Sequence, residues 1–364
     1  MNGRPLKLLV VCPSWLGDVV MATPALRRLR SALPGAFIGG LVRPGLDELL
    51  AGTDFFDEVH IARAQGIMGP KRVASQVRGR GYDTALLLTN SFSTALVTRL
   101  AFIPRRVGYD RDGRGMLLTD RLAPERTARG GYAPVPMVEY YLRAAESVLG
   151  GEPDGTEAGR HRGMRLELAV TPEQDAAAER VLRAGGLDGS RPIAIINPGA
   201  NNEAKRWPAE RFAQVAAHLA SRAMDIAING SSAERDLAAL VAAEARRLAP
   251  AANIAELPAL GITIGALKGV VRRAAVMLTN DTGPRHIAAA FGVPTVTLFG
   301  PTDPRWTTLP RDGSPRADIA ADPTLPAGEV ADDHPERCRI DRIEVARVIE
   351  AVEKVLKRCV FGWI

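Results

Sequence analysis

Hydrophobic and polar residues follow two alternating patterns along this chain. Short continuous apolar runs are typical of buried strands, and longer runs with an apolar residue every three or four positions are typical of helices. The short runs predict strands at 8–11, 37–42, 58–61, 84–88, 193–196, 225–228, 276–278 and 295–299. The longer runs predict helices at 19–33, 71–80, 137–149, 208–222, 233–248, 284–291 and 343–357. Strands that alternate with helices predict parallel α/β sheets.

The strand and helix series runs through the chain twice, which predicts two domains. A chain of 364 residues also exceeds the size at which one hydrophobic core keeps growing. The polar, glycine-rich segment 150–163 lies between the two series and is typical of a linker. We therefore place an N-terminal domain at 1–165, a C-terminal domain at 166–340, and a final helical segment at 341–364 that could pack on either domain.

The composition is that of an ordinary globular protein. The chain is 46% hydrophobic and 24% charged. No apolar stretch approaches the length of a membrane span, and the first residues do not resemble a cleavable signal, so we expect a cytoplasmic protein. Three scattered cysteines do not predict a disulfide framework, and none of the five histidines has a metal-ligand spacing.

Positive charge is concentrated in the first part of the chain. Residues 1–150 hold 20 Lys and Arg against 13 Asp and Glu, whereas residues 151–364 hold 27 against 28. One interpretation is a solvated, arginine-rich surface. The other is a surface that attracts an anionic partner such as phosphorylated lipid, membrane headgroups or nucleic acid.

Candidate chemistry in the first half follows the first predicted strand. In open parallel sheets, ligands bind outside the carboxyl ends of the strands. The loop there contains Ser14 and Gly17, and Gly17 permits a backbone turn that other residues resist. Asp18 falls at the start of the following helix, where its carboxylate is an N-terminal cap at minimum. With a substrate hydroxyl in hydrogen-bond reach it would instead act as a general base, and the residues leave both interpretations open.

A matching loop opens the second half. Asn197, Gly199 and Ala200 lie in a tight turn with free backbone donors. Lys205 supplies a cation suited to a phosphate, although a loop lysine is ordinarily solvent-facing. We expect Trp207 to anchor packing.

Glu234 follows a third strand of the same predicted sheet. A carboxylate repels phosphates, so a functional Glu234 would accept hydrogen bonds from hydroxyls such as those of a ribose. The alternative is a first-turn glutamate favoured by the helix dipole.

The segment 278–304 has the order strand, polar loop, helix, strand. Thr282 and Gly283 can present N–H groups and a hydroxyl to a diphosphate at the helix start. Asp281 fits a hydroxyl-binding or capping role better than a phosphate contact. His286 is either a donor in the site or a packed or exposed side chain.

Several familiar motifs are absent from the sequence. There is no Walker A loop, no G-x-G-x-x-G after the first strand, no G-x-S-x-G and no H-E-x-x-H. Hydrolysis by a P-loop, hydride transfer and serine hydrolysis therefore lack their usual support. A diphosphate-adapted second half suggests a nucleotide-linked donor, with an acceptor in the first half.

Three long segments carry a family resemblance: "PSWLGDVVMATPALRRLR" at 13–30, "NPGANNEAKRWPAERFAQVA" at 197–216 and "NDTGPRHIAAAFGVPTVTLFGPTDP" at 280–304. In order and spacing they resemble glycosyltransferase family 9, the lipopolysaccharide heptosyltransferases, and most of all its heptosyltransferase II-like branch. The resemblance implies the α/β GT-B fold, with two Rossmann-like parallel domains facing across a cleft. It also implies a last helix that often packs back on the N-terminal domain.

The resemblance also implies an activity and its residues. The family is inverting and metal-independent, transferring heptose from ADP-L-glycero-β-D-manno-heptose to the lipopolysaccharide inner core. Asp18 matches its proposed base, and Lys205 and Glu234 match residues on the donor's diphosphate and ribose side. The remaining expected donor-site residues are Asn197, Gly199, Ala200, Asp281, Thr282, Gly283 and His286. The expected acceptor-side residues are Ser14, Gly17 and Arg63.

These roles imply partners as well. We expect ADP-heptose as co-substrate with no further cofactor and no metal, a lipid A-core acceptor, peripheral contact with the inner membrane, and no nucleic acid. Arginines expected to meet acceptor phosphates include Arg63, Arg105, Arg106, Arg111 and Arg114. The nearer alternative is the same fold with another nucleotide sugar or a non-lipopolysaccharide acceptor. The remoter one is a non-catalytic protein that binds anionic lipid or nucleic acid.

Overall fold

The structure is a computed structural model that describes residues 6–63, 66, 68–127, 130–150, 164–310, 313–326 and 328–361. Apart from residue 150, the linker predicted at 150–163 lies outside the described residues. The chain divides into two compact units. The first unit comprises residues 1–168 and 305–310, and the second comprises residues 169–304 and 311–364.

The first unit is a six-stranded parallel sheet covered by helices. Its strands are β1 (Lys7–Val11), β2 (Phe37–Val42), β3 (Glu58–Ile61), β4 (Thr84–Leu87), β5 (Arg105–Tyr109) and β6 (Asp120–Leu122). Its helices are α1 (Leu16–Ala32), α2 (Leu46–Leu50), α3 (Gly69–Arg78), α4 (Phe92–Leu100) and α5 (Met137–Leu149). The strands lie in the order β3-β2-β1-β4-β5-β6.

The second unit repeats this plan. Its strands are β7 (Ile193–Asn197), β8 (Asp225–Ile228), β9 (Ile254–Glu256), β10 (Ala274–Asn280), β11 (Thr295–Phe299) and β12 (Arg316–Ala320). Its helices are α6 (Pro172–Ala184), α7 (Ala209–Ser221), α8 (Arg235–Leu248), α9 (Ile264–Arg272), α10 (Gly283–Ala290) and α11 (Val345–Phe361). The order β12-β11-β10-β7-β8-β9 is the order of the first sheet read from the other edge.

Both sheets are doubly wound: the chain adds strands on one side of the first strand and then continues on its other side. The strand order therefore reverses between β1 and β4 in the first sheet and between β7 and β10 in the second. Ligands of such sheets bind in the crevice at this point, outside the carboxyl ends of the strands. The loops after these four strands are therefore where a site is expected in each unit.

Buried central strands explain why the apolar pattern predicted them well. Leu8, Leu9 and Val10 are completely buried, as expected for a strand covered by helices on both faces. In the second unit, Trp207 is 1% exposed and its indole packs edge-on against Phe212. The expectation that Trp207 anchors packing is confirmed.

The last helix belongs to the second unit. Val348, Val352 and Val355 of α11 are buried in the core that contains Phe212 and Leu298. The sequence left open which domain this helix packs on, and its described residues pack in the core of the second unit. The physical reason is its apolar stripe, which is buried against the sheet and helices of that unit. Within the described residues, no helix is long and apolar enough to cross a membrane.

Candidate functional site

Two buried asparagines organise the switch point of the second sheet. The first, Asn197, ends β7, and its amide donates to Thr279 Oγ1 at 3.0 Å and to Thr282 Oγ1 at 2.9 Å. Its Oδ1 accepts from the amide of Asn229, which follows β8, at 2.7 Å. We predicted Asn197 as a donor-binding residue, and the structure places its side chain in a network that ties three strand ends together.

The second asparagine fixes the loop after β7. Asn280 ends β10, and its Nδ2 donates to the Pro198 carbonyl at 2.8 Å while its Oδ1 accepts from Trp207 N at 3.3 Å. Ala200 lies within this loop, is 3% exposed, and accepts at its carbonyl from Arg206 Nε at 2.9 Å. Both ends of the loop that carries Lys205 are thereby held to the neighbouring strand.

Gly199 is a glycine because Glu234 lies against it. A Cβ on Gly199 would fall 2.0 Å from Glu234 Oε1, closer than any side chain can approach. The other oxygen, Oε2, accepts from Ser231 N at 2.7 Å and from Ser231 Oγ at 2.8 Å. The arrangement is a capping box ahead of α8, and it fixes the carboxylate beside the loop after β7.

An ion cluster lies beside this loop. Lys205 Nζ is 3.4 Å from Asp281 Oδ2, and Arg285 Nη1 is 2.7 Å from Asp281 Oδ1. Burial of Asp281 would by itself raise its pKa, but the charges of Arg285 and Lys205 outweigh burial, and the pKa lies below its usual value. The buried carboxylate is therefore ionised. Arg285 Nη2 also lies 3.9 Å from Asp318 Oδ1, so Arg285 has a second carboxylate partner, and Lys205 is the partly exposed cation of the cluster.

His286 is buried next to these charges. It is 2% exposed, and burial, followed by the charge of Arg285, lowers its pKa to about 3. Its Nδ1 has no hydrogen-bond partner among the described residues. The structure places His286 as a buried, neutral side chain, and its role as a donor in the site stays a prediction.

The start of α10 faces the same strand ends. Thr282 is the residue before the helix, Gly283 is the first helical residue, and Pro284 follows with no N–H of its own. Backbone N–H groups at a helix start lack intrahelical acceptors and attract anions. Lys205 contacts Asp281, the residue before Thr282, so a cation lies close to this helix start. The edge therefore has the features of an anion site.

In the first unit, Asp18 lies in the first turn of α1. The residue before the helix is Trp15, so Asp18 is not the N-cap and the capping interpretation is wrong. Gly17 lies inside the helix and is absent from the residues with positive φ, so the expected glycine-specific turn is wrong too. The helix begins three residues earlier than the apolar pattern indicated, because small and polar residues also fit its first turn.

Asp18 is bound by a tyrosine that the sequence analysis did not single out. Tyr141 of α5 donates its hydroxyl to Asp18 Oδ1 at 2.8 Å. Burial, together with the Asp18 carboxylate, raises the pKa of Tyr141 well above its usual value. The tyrosine therefore stays protonated and remains a donor. A usable signal was the Tyr140-Tyr141 pair in a predicted helix, since buried tyrosine hydroxyls need partners.

A buried guanidinium lies at the same sheet edge. Arg114 is completely buried and donates to the carbonyls of Tyr109, at 3.0 Å, and Thr89. Its Nη2 is 3.3 Å from Asn90 Oδ1, which also accepts from the Tyr140 hydroxyl at 2.9 Å. Burial lowers the pKa of Arg114 to about 10, so the group is charged near neutral pH.

The predicted acceptor residues occupy different environments. The Ser14 carbonyl accepts from Arg43 Nη1 at 3.3 Å, in the loop after β1. Arg63 is exposed just after β3, at the carboxyl edge of the sheet. Arg111 follows β5, and its guanidinium stacks 3.6 Å from the centre of the Tyr132 ring.

The remaining arginine candidates are Arg105, Arg106 and Arg114. Arg105 and Arg106 begin β5, which puts them at the amino edge of the sheet, opposite the loops that carry Asp18. Arg105 pairs with Asp120 at 2.5 Å. Arg114 is enclosed in the protein. The burial of Arg114 contradicts the prediction, which failed because charge alone does not tell whether the fold encloses a residue. A phosphate contact by Arg105 or Arg106 stays a prediction.

Among the described residues, no three His, Cys, Asp or Glu side chains group as ligands of one ion. Metal independence itself stays a prediction.

Comparisons with known proteins agree with this architecture. Residues 71–319 match the model of glycosyltransferase family 9 (heptosyltransferase). The chain is 29% identical to lipopolysaccharide heptosyltransferase 2 of Salmonella typhimurium and 30% identical to that of Escherichia coli, each over 83% of this chain and 85% of the relative. The solved structure of the E. coli ADP-heptose lps heptosyltransferase II superposes with a TM-score of 0.76 at 26% identity, covering 98% of this chain and 100% of that one.

These similarities define a glycosyltransferase of the GT-B fold class, as the sequence predicted. The chain belongs to glycosyltransferase family 9, the heptosyltransferases, and is therefore an enzyme.

Proposed function

We propose that this enzyme transfers heptose from ADP-heptose to the inner core of lipopolysaccharide. Its relatives are named for this activity, and one of the solved structures is named for the ADP-heptose donor. The observation that carries the proposal is the ion cluster of Lys205, Asp281 and Arg285, which holds the partly exposed Lys205 ammonium beside the start of α10. A nucleoside diphosphate is the kind of anion that such an edge binds.

The donor's diphosphate takes Lys205 and the N–H groups of Thr282 and Gly283 as its partners. Lys205 is held only loosely, at 3.4 Å from Asp281, and its side chain is 24% exposed. It can therefore move from the carboxylate to a phosphate. The charge of the Asp281 carboxylate remains paired when Lys205 moves away, because Arg285 donates to its other oxygen.

The ribose side of the donor takes Glu234. Its carboxylate lies against Gly199, where a hydroxyl can donate to it without bringing phosphate close to a negative charge. Asn197, Ala200 and His286 support this edge from within, since each is buried.

Chemistry proceeds as one in-line displacement with inversion. The acceptor hydroxyl oxygen forms a bond to the anomeric carbon while the bond from that carbon to the diphosphate oxygen breaks, and the electron pair leaves with ADP. Asp18 takes the hydroxyl proton, general-base help that is typically worth roughly 10²–10⁴ in rate. Lys205 and the helix-start N–H groups stabilise the charge that grows on ADP, the task that a divalent cation performs in metal-dependent enzymes.

The acceptor meets the first unit. Residues 1–150 carry the excess of positive charge, and Arg63 is exposed at the carboxyl edge with Ser14 in a loop of that edge. Core phosphates and anionic headgroups are attracted to such a surface. We place the enzyme at the cytoplasmic face of the inner membrane, in peripheral contact with it.

Release of ADP from ADP-heptose, with and without a heptose-bearing core acceptor, tests the proposal. We expect acceptor-dependent release that needs no added divalent cation and persists in EDTA. Equal or faster release from another nucleotide sugar would assign a different donor. Absence of release from every sugar nucleotide, combined with salt-sensitive binding to DNA or anionic vesicles, would favour the non-catalytic alternative.

A further inference from the structure

Tyr141 meets Asp18 across the contact between α5 and α1. Its hydroxyl is 2.8 Å from Asp18 Oδ1, and the tyrosine is 3% exposed. The two helices pack closely here, with Val19 and Val20 of α1 and Ala144 of α5 buried. A buried hydroxyl with an ionised acceptor makes a stronger hydrogen bond than it could with a neutral one.

The tyrosine is itself fixed by its neighbours. The Tyr140 ring packs edge-on against that of Tyr141, with centroids 5.8 Å apart, and stacks on Tyr109 at 3.8 Å. The Tyr140 hydroxyl donates to Asn90 after β4. The position of the Tyr141 hydroxyl is thus set by a chain of contacts that reaches the switch point of the first sheet.

We infer that Tyr141 is a positioning residue for the transfer, which orients the Asp18 carboxylate and keeps it ionised through the hydrogen bond to Oδ1. The inference rests on the proposed role of Asp18 as the base. A donor to a carboxylate favours its charged form, and a base must be charged to accept the acceptor's proton. The hydrogen bond from Tyr141 also selects one rotamer of Asp18. The carboxylate is then already aligned when the acceptor binds, so its alignment costs no entropy in each turnover.

Other charged and titratable groups act on this pair. Tyr140 of the same helix and Arg111 after β5 both influence the Tyr141 hydroxyl. Burial and the Asp18 carboxylate dominate, and both keep the hydroxyl protonated. The charge of Arg111 lowers the pKa of the Tyr141 hydroxyl. Arg111 is still present in Tyr141→Phe.

The test is the pH dependence of kcat/KM in Tyr141→Phe, with Tyr82→Phe as matched control. Tyr82 is 4% exposed and its hydroxyl is also buried in a hydrogen bond, 2.7 Å from His60 Nε2. It precedes β4 and so lies at the amino edge of the sheet, away from the loop of Asp18. Both variants lose one buried hydroxyl and keep the ring.

For Tyr141→Phe we expect the acidic limb of the profile to move up by about one pH unit, since Asp18 loses a donor to its charged form. We also expect kcat at neutral pH to fall about tenfold while KM for ADP-heptose changes less than about twofold. Tyr82→Phe should leave the limb at its wild-type pH. Thermal unfolding of the two variants measures the purely structural cost of each lost hydroxyl.

Asp18→Asn separates this inference from the proposal beneath it. If Asp18→Asn is inactive and the limb of Tyr141→Phe coincides with that of Tyr82→Phe, Tyr141 only packs and the inference is wrong. If Asp18→Asn turns over at the wild-type rate, the base assignment fails and the inference fails with it. A shifted limb in Tyr141→Phe alone, with an inactive Asp18→Asn, supports both.

Discussion

The two units share a strand order and differ in the chemistry at their carboxyl edges. In the second unit, the edge carries the pair of cations around Asp281 and a helix start. In the first unit, the corresponding edge carries one half-buried carboxylate, Asp18, held by a tyrosine hydroxyl. One edge is built to bind an anion, and the other to hold a base.

The sheet therefore determines where a site can lie, and the loop residues determine its chemistry. The loop after β1 leads into Asp18, and the loop after β7 leads to Lys205, at equivalent places in the two sheets. The partners of these groups come from elsewhere in each unit: Tyr141 of a later helix donates to Asp18, and Asp281 after β10 pairs with Lys205. Each functional group therefore depends on a partner distant in sequence.

The largest effect on stability is expected from Arg285→Met. Arg285 is completely buried and pairs with Asp281 at 2.7 Å, so the substitution leaves a buried carboxylate with only the distant Lys205 charge beside it. We expect a loss of about 3–5 kcal/mol in the free energy of unfolding, measured with urea.

The first unit provides the control for that substitution. Arg28 pairs with Glu146 at 2.6 Å, but its side chain is 48% exposed. Arg28→Met should cost about 0–1 kcal/mol, as is usual for surface pairs. Equal costs for the two variants would show that the cluster around Asp281 is not a buried ion site.

A smaller effect is expected from Gly199→Ala. The new Cβ would fall 2.0 Å from Glu234 Oε1, so the capping-box carboxylate must move. Because this carboxylate is the end of a flexible side chain it can swing away, and we expect a cost of about 0.5–2 kcal/mol, typical of a lost helix cap. In a Glu234→Ala background the obstacle is gone, and the same substitution should cost less than about 0.5 kcal/mol, which urea unfolding of the double-mutant cycle measures.

Gly79→Ala supplies the comparison in the first unit. Gly79 has open space around its Cβ position and a φ of −62°, so alanine fits without strain. If Gly199→Ala proves as mild as Gly79→Ala, the close approach of Glu234 is contradicted.

The smallest expected effect is the contribution of His286 to the pH dependence of the unfolding free energy. The pKa of His286 is lowered to about 3 in the folded state from 6.5. The unfolded chain thus binds the proton more readily, so the contribution of His286 is fully present above about pH 6.5 and is lost as pH falls toward 3. The slope is at most about 1.4 kcal/mol per pH unit. Unfolding free energies between pH 7.5 and 5 should show a shallower slope in His286→Gln, and an unchanged slope would contradict the burial of a neutral imidazole.

Much of the fold was predictable because the central strands are buried on both faces. The interior strands at 37–42, 225–228 and 295–299 have the bounds that their apolar runs predicted, and so does the edge strand β3 at 58–61. The edge strands β6, β9 and β12 were not predicted, since they are partly exposed and lack an apolar run, and the interior strand β5 was missed because it begins with Arg105 and Arg106. Helix α6 was also missed although Thr171 and Gln174 form a capping box, a signal that the sequence does contain.

The site was predictable in its strand-end residues and not in their partners. Lys205 and Asp281 follow strands, so parallel pairing brought them to one edge, and they lie 3.4 Å apart. Tyr141, Asn280 and Arg285 act through contacts that depend on helix packing, which no local pattern specifies. Arg114 shows the converse, because its charge suggested a surface role and the fold encloses it.

Binding of ADP to Asp18→Asn and Lys205→Met, measured by calorimetry alongside turnover, tests most directly the assignment of the base to one unit and the donor site to the other. We expect Asp18→Asn to bind ADP with the wild-type Kd while kcat falls roughly 10²–10⁴-fold. We expect Lys205→Met to weaken ADP about tenfold, the loss of about 1.4 kcal/mol of charge-assisted contact. Weakened ADP binding in Asp18→Asn, or wild-type binding in Lys205→Met, would contradict that division.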